Sequence, residues 1–85
     1  MMNNKVLVYL YVPTLEKKYE VFLPVNRKVG EVCSLIAKGL KDISNNYYNI
    51  TNYEHLYNRI NGVMYNETVL LKNTNIRNGS QLVFM

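Results

Sequence analysis

The sequence lacks several features, and each absence excludes a class of protein. The 85 residues include a single cysteine, Cys33, so no internal disulfide can form and a reducing compartment is favoured. No apolar run approaches the roughly 18 residues that a membrane-spanning helix requires, so we expect no direct membrane insertion. The first five residues lead into a strand-like alternation and not into a secretory signal, which favours a cytoplasmic protein.

The clearest positive signal is the alternation of side chains near the amino terminus. Residues 5–12 predict a strand with apolar side chains on one side and Leu7, Tyr9 and Tyr11 on the other. Residues 18–23 continue the alternation as a second strand, and together the two strands predict a hairpin. The side chains expected to face the core from this hairpin are Val6, Val8, Leu10, Val12, Tyr19, Val21 and Leu23.

One helix is predicted after the hairpin. Apolar residues then recur at three- and four-residue spacing, which makes one apolar stripe, and Asn26 is a suitable N-cap. The stripe consists of Val29, Val32, Cys33, Ile36, Leu40 and Ile43. Residues 42–53 show no clean period, so they predict a loop that is long for a small protein.

The second half of the chain contains two turn signals. Asn61-Gly62 and Asn78-Gly79 both tolerate positive φ, and they separate short apolar stretches. The strands predicted in this half cover residues 54–59, 63–65 and 81–85, with Leu56, Leu82 and Phe84 facing the core. The order of elements predicts an α+β fold, with a mixed sheet of four to five strands and one helix packed across one face. The first and last strands should be parallel neighbours, and residues 1–85 should form a single domain.

Two series of residues carry a resemblance to a known family: Leu56-Tyr57-Asn58-x-x-x-Gly62-x-x-Tyr65, and Leu71-x4-Ile76-x-Asn78-Gly79-x-x-Leu82. With them the chain resembles ubiquitin-like β-grasp proteins, and more narrowly the YukD-type proteins of Gram-positive bacteria. The resemblance covers nearly the whole chain. It implies an accessory or regulatory interaction module of a type VII (ESX-like) secretion system, recruited to the inner face of the membrane by a partner from that apparatus.

The resemblance implies no catalytic residues, because those relatives have none. A protein-conjugating relative would need a mobile tail that ends in two glycines, whereas this chain ends at Met85 within the last predicted strand. We therefore expect that the protein is not conjugated to others. The alternative within the same fold is a sulfur carrier or modifier, which would require that diglycine end.

The residues themselves offer no signature of an enzyme. The six acidic residues show no paired-carboxylate spacing, and the four glycines form no phosphate-binding loop. Cys33 and His55 are the only candidates for a nucleophile and a base, and the patterning places them on opposite sides of the sheet. A single cysteine and a single histidine placed in this way do not form a metal motif. We expect no catalytic residue, no metal and no cofactor.

The face of the sheet opposite the helix is predicted to be apolar and aromatic. Such surfaces on small proteins usually mark interaction sites, and tyrosine suits them because it offers large contact area. The predicted protein-binding patch consists of Leu7, Tyr9, Tyr11, Phe22, Tyr57, Val83 and Met85. Two alternatives stay open: the 42–53 loop covers this face, or β-propensity alone placed aromatic residues there. A homodimer is a special case of the interaction hypothesis.

A weak single-stranded nucleic-acid binder is the remaining alternative. The net charge of +4 and the exposed aromatic residues would favour it. However, Lys17, Lys18, Arg27 and Lys28 lie at predicted loop ends, away from the aromatic patch. Nucleic acid is therefore disfavoured as a partner, and a protein partner is preferred.

Overall fold

The structure is a computed structural model and describes residues 4–85. Its strands and helix are β1 (Lys5–Val12), β2 (Lys17–Pro24), α1 (Val29–Ile43), β3 (Leu56–Asn58) and β4 (Gln81–Phe84). Short 3₁₀ turns cover Pro13–Leu15 and Leu71–Asn73. The four strands form one mixed sheet in the order β2-β1-β4-β3, and β1 and β4 are parallel neighbours at its centre. The predicted α+β arrangement is confirmed.

The prediction of which hairpin side chains face the core is also confirmed. On β1, Val8, Leu10 and Val12 are at most 1% exposed, whereas Tyr9 between them is 45% exposed. β2 pairs with β1 along its whole length, from Lys5 opposite Pro24 to Val12 opposite Lys17. Since paired side chains point to the same face, each β2 residue that lies opposite a core-facing residue of β1 also faces the core.

The core lies between the sheet and α1. The helix buries one stripe, and β3 and β4 bury Leu56, Leu82 and Phe84, each at 0% exposed. Burying a side chain of this size contributes roughly 1.5–3 kcal/mol. The buried residues of α1 are Val29, Val32, Cys33, Ile36, Ala37 and Leu40. The prediction that Ile43 belongs to this stripe is wrong: Ile43 is 62% exposed, because it is the last helical residue and lies at the surface beside β2.

The predicted N-cap of the helix is also wrong. The residue at the N-cap position is Lys28 and not Asn26, and it makes no side-chain capping bond. The N–H groups of the first two helical residues instead donate to the backbone carbonyls of Val69 and Glu67, at 2.9 and 3.0 Å. The Glu31 carboxylate accepts the Lys28 N–H at 3.3 Å. Tertiary contacts thus satisfy donors that a capping side chain usually satisfies.

Two strands of the second half are shorter than predicted. The strand predicted over 54–59 is Leu56–Asn58, although backbone bonds to β4 continue one residue beyond each end. The short strand predicted over 63–65 is reduced to one bridge between Met64 and Tyr57. The sheet has four strands because this return crossing pairs at a single point.

Both predicted turns are present. Gly62 and Gly79 have φ values of +74° and +87°, a region that glycine enters at little cost. Beside the second turn, the Asn78 side chain accepts the Leu7 N–H at 2.8 Å and so extends the bonding of β1. The last strand ends at Phe84, one residue earlier than predicted.

The loop between α1 and β3 packs on the helix side of the sheet. Tyr48 is 6% exposed, and its ring centroid lies 6.4 Å from that of Phe84, a core residue. The Glu54 carboxylate accepts the Tyr48 O–H at 2.9 Å and the Thr51 N–H at 2.9 Å, which closes the loop on itself. The loop is therefore anchored in the core on the helix side of the sheet, and at the end of the sheet Tyr47 lines a cavity together with Met85. Its left-handed positions are occupied by Asn45, Asn46 and Asn52.

α1 has 15 residues and is the longest helix that residues 4–85 form. No helix in that part of the chain has both the length and the apolar character needed to cross a bilayer.

Candidate protein-binding surface

The face of the sheet that points away from α1, here called the open face, is organised in rows by the strand register. Tyr11 on β1 lies opposite Val83 on β4, and Val83 lies opposite Tyr57 on β3. The bridge to Met64 extends this line past β3. These four residues, Tyr11, Val83, Tyr57 and Met64, form one cross-strand row, called the tyrosine row below. It brings together three of the seven residues predicted for the patch. Lys18 on β2 lies opposite Tyr11 on its other side, so the prediction that Lys18 lies away from the aromatic patch is wrong.

The adjacent row is more polar. Tyr9 lies opposite Glu20 on one side and opposite Gln81 on the other. Arg59 follows next, since its N–H donates to the Gln81 carbonyl at 3.0 Å. We call Glu20, Tyr9, Gln81 and Arg59 the polar row. A tyrosine flanked by an acidic residue, an amide and a basic residue offers both contact area and directional hydrogen bonding.

The remaining pair of the open face is Leu7 and Phe22, which lie opposite each other on β1 and β2. Phe22 is 55% exposed. Along β1, Leu7 is separated from Tyr11 by four residues, which is about 13 Å in a strand. The polar row lies between them, so the seven predicted residues share one face but form two apolar clusters, not a continuous apolar surface.

Arg59 is a residue of this face that the sequence interpretation did not single out. Its guanidinium carbon lies 4.9 Å from the centroid of the Tyr11 ring. At an exposed position such a cation–π contact contributes about 0.5–1 kcal/mol and restrains both side chains. The available signal was its spacing, because Arg59 follows Tyr57 by two residues and therefore shares its face.

Met85 and His55 extend the open face at its other end. The two residues exchange backbone hydrogen bonds at 2.8 and 3.2 Å, which continues the β3–β4 pairing. Met85 is 54% exposed. The His55 ring stands edge-on to Tyr57 at 6.4 Å, and its Nδ1 lies 2.7 Å from Glu67 Oε1.

The candidate nucleophile Cys33 is enclosed on the other side of the sheet. It is 6% exposed and lies beside the backbone of Leu56. Burial, aided by the nearby Glu67 carboxylate, raises the pKa of the Cys33 thiol to about 11. A thiol with such a pKa is almost fully protonated at neutral pH and is a poor nucleophile. The His55 ring packs against Tyr57, and its Nδ1 lies 2.7 Å from Glu67. Glu67 in turn lines a cavity with Cys33 beside α1, so the prediction that the sheet separates Cys33 from His55 is not confirmed.

Glu54, which lies near Cys33, accepts hydrogen bonds that hold the loop after α1 in place. Burial and the bond to Glu54 raise the pKa of the Tyr48 phenol. Within residues 4–85, no group of three or more histidine, cysteine, aspartate or glutamate side chains is placed to hold a metal ion.

No protein-family model matches the chain, and no curated protein matches it. Solved structures do match. One described as "Molecular Mimicry of SUMO promotes DNA repair" superposes with a TM-score of 0.75 at 11% identity, covering 98% of this chain and 92% of that chain. The ubiquitin-like domain of Plasmodium falciparum Dsk2 superposes with a TM-score of 0.68 at 14% identity, covering 94% and 95%. The fold is ubiquitin-like.

A chain of the ESX-5 inner membrane complex is also similar, with a TM-score of 0.69 at 16% identity. The match covers 96% of this chain and 21% of that chain, so this chain spans about a fifth of its length. A chain of the pParkin-pUb-UbcH7 complex matches with a TM-score of 0.72 at 12% identity, covering 100% and 24%. Both of these similar structures are assemblies of several proteins, and at such identities the likeness to this ubiquitin-like chain is one of fold.

Proposed function

We propose that this chain is a non-catalytic ubiquitin-like module that binds a partner protein through the open face of its sheet. The observation that carries the proposal is the exposure of large side chains on the face of the sheet that points away from α1. Tyr9, Phe22, Met64 and Met85 are each between 45% and 55% exposed there. Concentrated exposed aromatic and apolar side chains on a small protein usually mark an interface.

The arrangement of the rows suits a protein partner. The tyrosine row and the Leu7–Phe22 pair provide two apolar contacts, and the polar row between them provides charge at both ends. A partner would have to match Glu20 at one end and Arg59 at the other, which selects orientation as well as affinity. Tyrosine side chains contribute contact area with few rotatable bonds, so little entropy is lost when they are ordered.

We further propose that the partner is a component or regulator of a type VII (ESX-like) secretion apparatus. Two observations support this class. The series from Leu56 to Tyr65 and from Leu71 to Leu82 resembles the YukD-type proteins. A chain of the ESX-5 inner membrane complex contains a region of the same fold. On this proposal the protein is cytoplasmic and Gram-positive in origin, and its partner recruits it to the inner face of the membrane.

The test is affinity capture of the tagged chain from its native cells, with secretion-apparatus subunits quantified by mass spectrometry. The double variant Tyr9→Asp/Tyr57→Asp places charges in the polar row and the tyrosine row. We expect wild type to enrich those subunits and the variant to lose them, while circular dichroism stays unchanged. Tyr9→Asp alone is the fallback, because Tyr57 is partly buried and its replacement costs more stability.

The matched control is Tyr53→Asp. This tyrosine is 82% exposed and lies in the loop after α1, outside the strands of the sheet. The control should capture the same subunits as wild type. Equal capture by wild type and by the open-face variant would contradict the proposed surface. A wild-type chain that enriches no secretion subunit would contradict the proposed class of partner.

A further inference from the structure

The two charged residues of the polar row are available to another molecule. Glu20 lies on the edge strand β2, Arg59 lies just beyond β3 at the other edge, and both are exposed. Their backbone positions are three strand spacings apart, which is about 14 Å and too far for an ion pair within one chain. The ion pairs that residues 4–85 do form involve neither Glu20 nor Arg59.

The order of residues in the polar row makes the row complementary to itself. Across the sheet from β2 to β3, the row runs from Glu20 through Tyr9 and Gln81 to Arg59. The line between β1 and β4 therefore divides an acidic half from a basic half. When a second copy of the row is laid over the first in reverse order, each carboxylate faces a guanidinium group, and each tyrosine faces an amide.

Charge selects one symmetry axis for such a pair. Two identical faces can pack against each other about a two-fold axis that lies between them. An axis parallel to the strands, above the line between β1 and β4, reverses the strand order and brings Glu20 of each copy over Arg59 of the other. An axis across the strands keeps the strand order, so Glu20 would face Glu20 and Arg59 would face Arg59. Like charges placed opposite each other are unfavourable, so the axis parallel to the strands is preferred.

The tyrosine row fits the same axis. Extended by Lys18 on β2, it runs across the sheet through Tyr11 and Val83 to Tyr57. The axis parallel to the strands brings Lys18 of one copy over Tyr57 of the other, and Tyr11 over Val83. An ammonium group over a phenol ring is a favourable cation–π arrangement, and the other two contacts are between a ring and an aliphatic side chain. One axis therefore satisfies both rows without bringing like charges together.

The shape of the open face allows a second sheet to approach. Packed sheets lie about 10 Å apart with their strands within about 30° of each other, a distance that glutamate and arginine side chains span together. The contact with the Tyr11 ring at 4.9 Å keeps the Arg59 guanidinium group on the open face. A shallow cavity of about 640 Å³, lined by Tyr9, Glu20 and Arg59 among others, leaves room for the side chains of an opposing polar row.

The area of the face sets the strength of the contact. Four strands and three rows of side chains cover roughly 400 Å² on each copy, since strands are about 4.8 Å apart and rows about 6.7 Å apart. Stable protein interfaces bury about 800 Å² on each partner. We therefore expect a weak pair, with a dissociation constant between about 10 µM and 1 mM.

We propose that two copies of this chain pair through their open faces, about a two-fold axis parallel to the strands, with Glu20 of each copy bound to Arg59 of the other. A paired chain cannot offer its open face to another protein, so pairing at high concentration would hold the chain in reserve from its partner. The inference rests on the open face that the proposed function uses, but not on the identity of the partner protein.

The experiment is sedimentation of the full chain at low salt, from about 10 µM to about 1 mM. We expect the mass of wild type to rise from that of one chain toward that of two, and added salt to oppose the rise. Glu20→Arg and Arg59→Glu each place two pairs of like charges in the interface, so each should weaken pairing at least about tenfold. An equimolar mixture of the two variants should pair again, because every arginine then faces a glutamate. The double variant Glu20→Arg/Arg59→Glu should pair with itself for the same reason.

The matched controls are Asp42→Arg and Lys38→Glu, which change the net charge by the same amounts at exposed positions of α1. Both should pair like wild type. A second measurement needs no variant: isotope-filtered NMR of labelled and unlabelled wild type should show contacts between Tyr9 of one copy and Gln81 of the other.

Three results would overturn the inference. One is a wild-type chain that stays monomeric up to about 1 mM. Another is a mixture of Glu20→Arg and Arg59→Glu that associates no better than either variant alone. The third is an NMR contact between Tyr9 and Tyr9 of the two copies in place of Tyr9 and Gln81. A monomeric chain that still captures secretion subunits would refute only the pairing, and a paired chain that captures none would refute only the proposed class of partner.

Discussion

Replacing Tyr48 by phenylalanine removes one hydroxyl group from the loop between α1 and β3 and leaves the ring in the core. In the native chain, the Tyr48 O–H donates to Glu54 Oε2 at 2.9 Å. The same carboxylate oxygen accepts the Thr51 N–H at 2.9 Å. The substitution therefore tests how much the closure of this loop contributes to the stability of the whole fold.

The expected magnitude follows from the burial of the two partners. A hydrogen bond to a charged group contributes about 1.5–3 kcal/mol. Tyr48 is 6% exposed, but Glu54 is only partly buried and keeps its bond to Thr51, so water offsets part of the loss. We expect the free energy of unfolding to fall by about 1 kcal/mol. For a domain of this size the melting temperature should then fall by about 4–8 °C.

The loss should depend on pH in a defined direction. Burial of Glu54 favours its neutral form, but the bonds from Thr51 and Tyr48 outweigh that effect, and the pKa of Glu54 lies below its usual range. A carboxylate with a lowered folded pKa stabilises the fold above its unfolded pKa, about 4.3, and loses that contribution as the pH falls through the folded value. The melting difference between wild type and Tyr48→Phe should be full at about pH 7 and smaller at about pH 3.

At alkaline pH the stability falls as the pH rises, which is the reverse of the dependence at acidic pH. Burial and the Glu54 carboxylate raise the pKa of the Tyr48 phenol. Wild type should therefore lose stability as the pH rises above the unfolded tyrosine value, about 10, and the phenylalanine variant should not show this loss. Thermal unfolding followed by circular dichroism, repeated across the pH range, measures both effects.

The matched control is Tyr47→Phe, which removes a hydroxyl group from a neighbouring side chain that is 75% exposed. This substitution should change the melting temperature by less than about 1 °C. An equal melting difference for Tyr48→Phe at neutral and acidic pH would refute the role of the ionised Glu54. No difference at neutral pH would refute the whole account of the loop anchor.

Three further predictions follow from the core and the helix. Gly39→Ala should stabilise the chain by up to about 1 kcal/mol in chemical denaturation, because alanine is the better helix former and its Cβ meets nothing. Gly30→Ala should gain less or lose stability, since its Cβ would lie 3.3 Å from the Glu67 Cβ and carbonyl oxygen; an equal gain at both glycines would contradict this difference. Cys33 should react with a thiol reagent only under conditions that unfold the chain, and rapid labelling of the native protein would show that the thiol is accessible. Leu56→Ala should cost about 2–5 kcal/mol, and a loss below about 1 kcal/mol would mean that the site collapses around the cavity.

The sheet faces were predictable because strand parity is local. Alternation in residues 5–12 fixes which side of β1 is apolar without any knowledge of its neighbours. The start of α1 was not predictable in the same way. Carbonyls of Val69 and Glu67, almost forty residues away, bond its first N–H groups, so the residue with a capping side chain was not needed. Long-range backbone contacts of this kind leave no pattern near the helix itself.

Sequence patterning predicted which residues lie on the open face, but not which of them are neighbours. Parity assigned Leu7, Tyr9 and Tyr11 to the open side, and the structure places them there. Which residues become neighbours depends on the register between strands, and register joins Tyr9 to Glu20 and Gln81. The polar row could therefore be recognised only from the pairing of the strands.

The central position of β4 has a consequence for synthesis of the chain. Residues 81–83 pair with residues 9–11 on one side, and β4 pairs with β3 on the other. A nascent chain on the ribosome therefore cannot complete its sheet until residue 84 has emerged, and until then both β1 and β3 present unsatisfied edges. Contacts of such long sequence separation slow folding. β1 is synthesised first and waits longest for β4, so it would benefit most from a chaperone that shields its edge during translation.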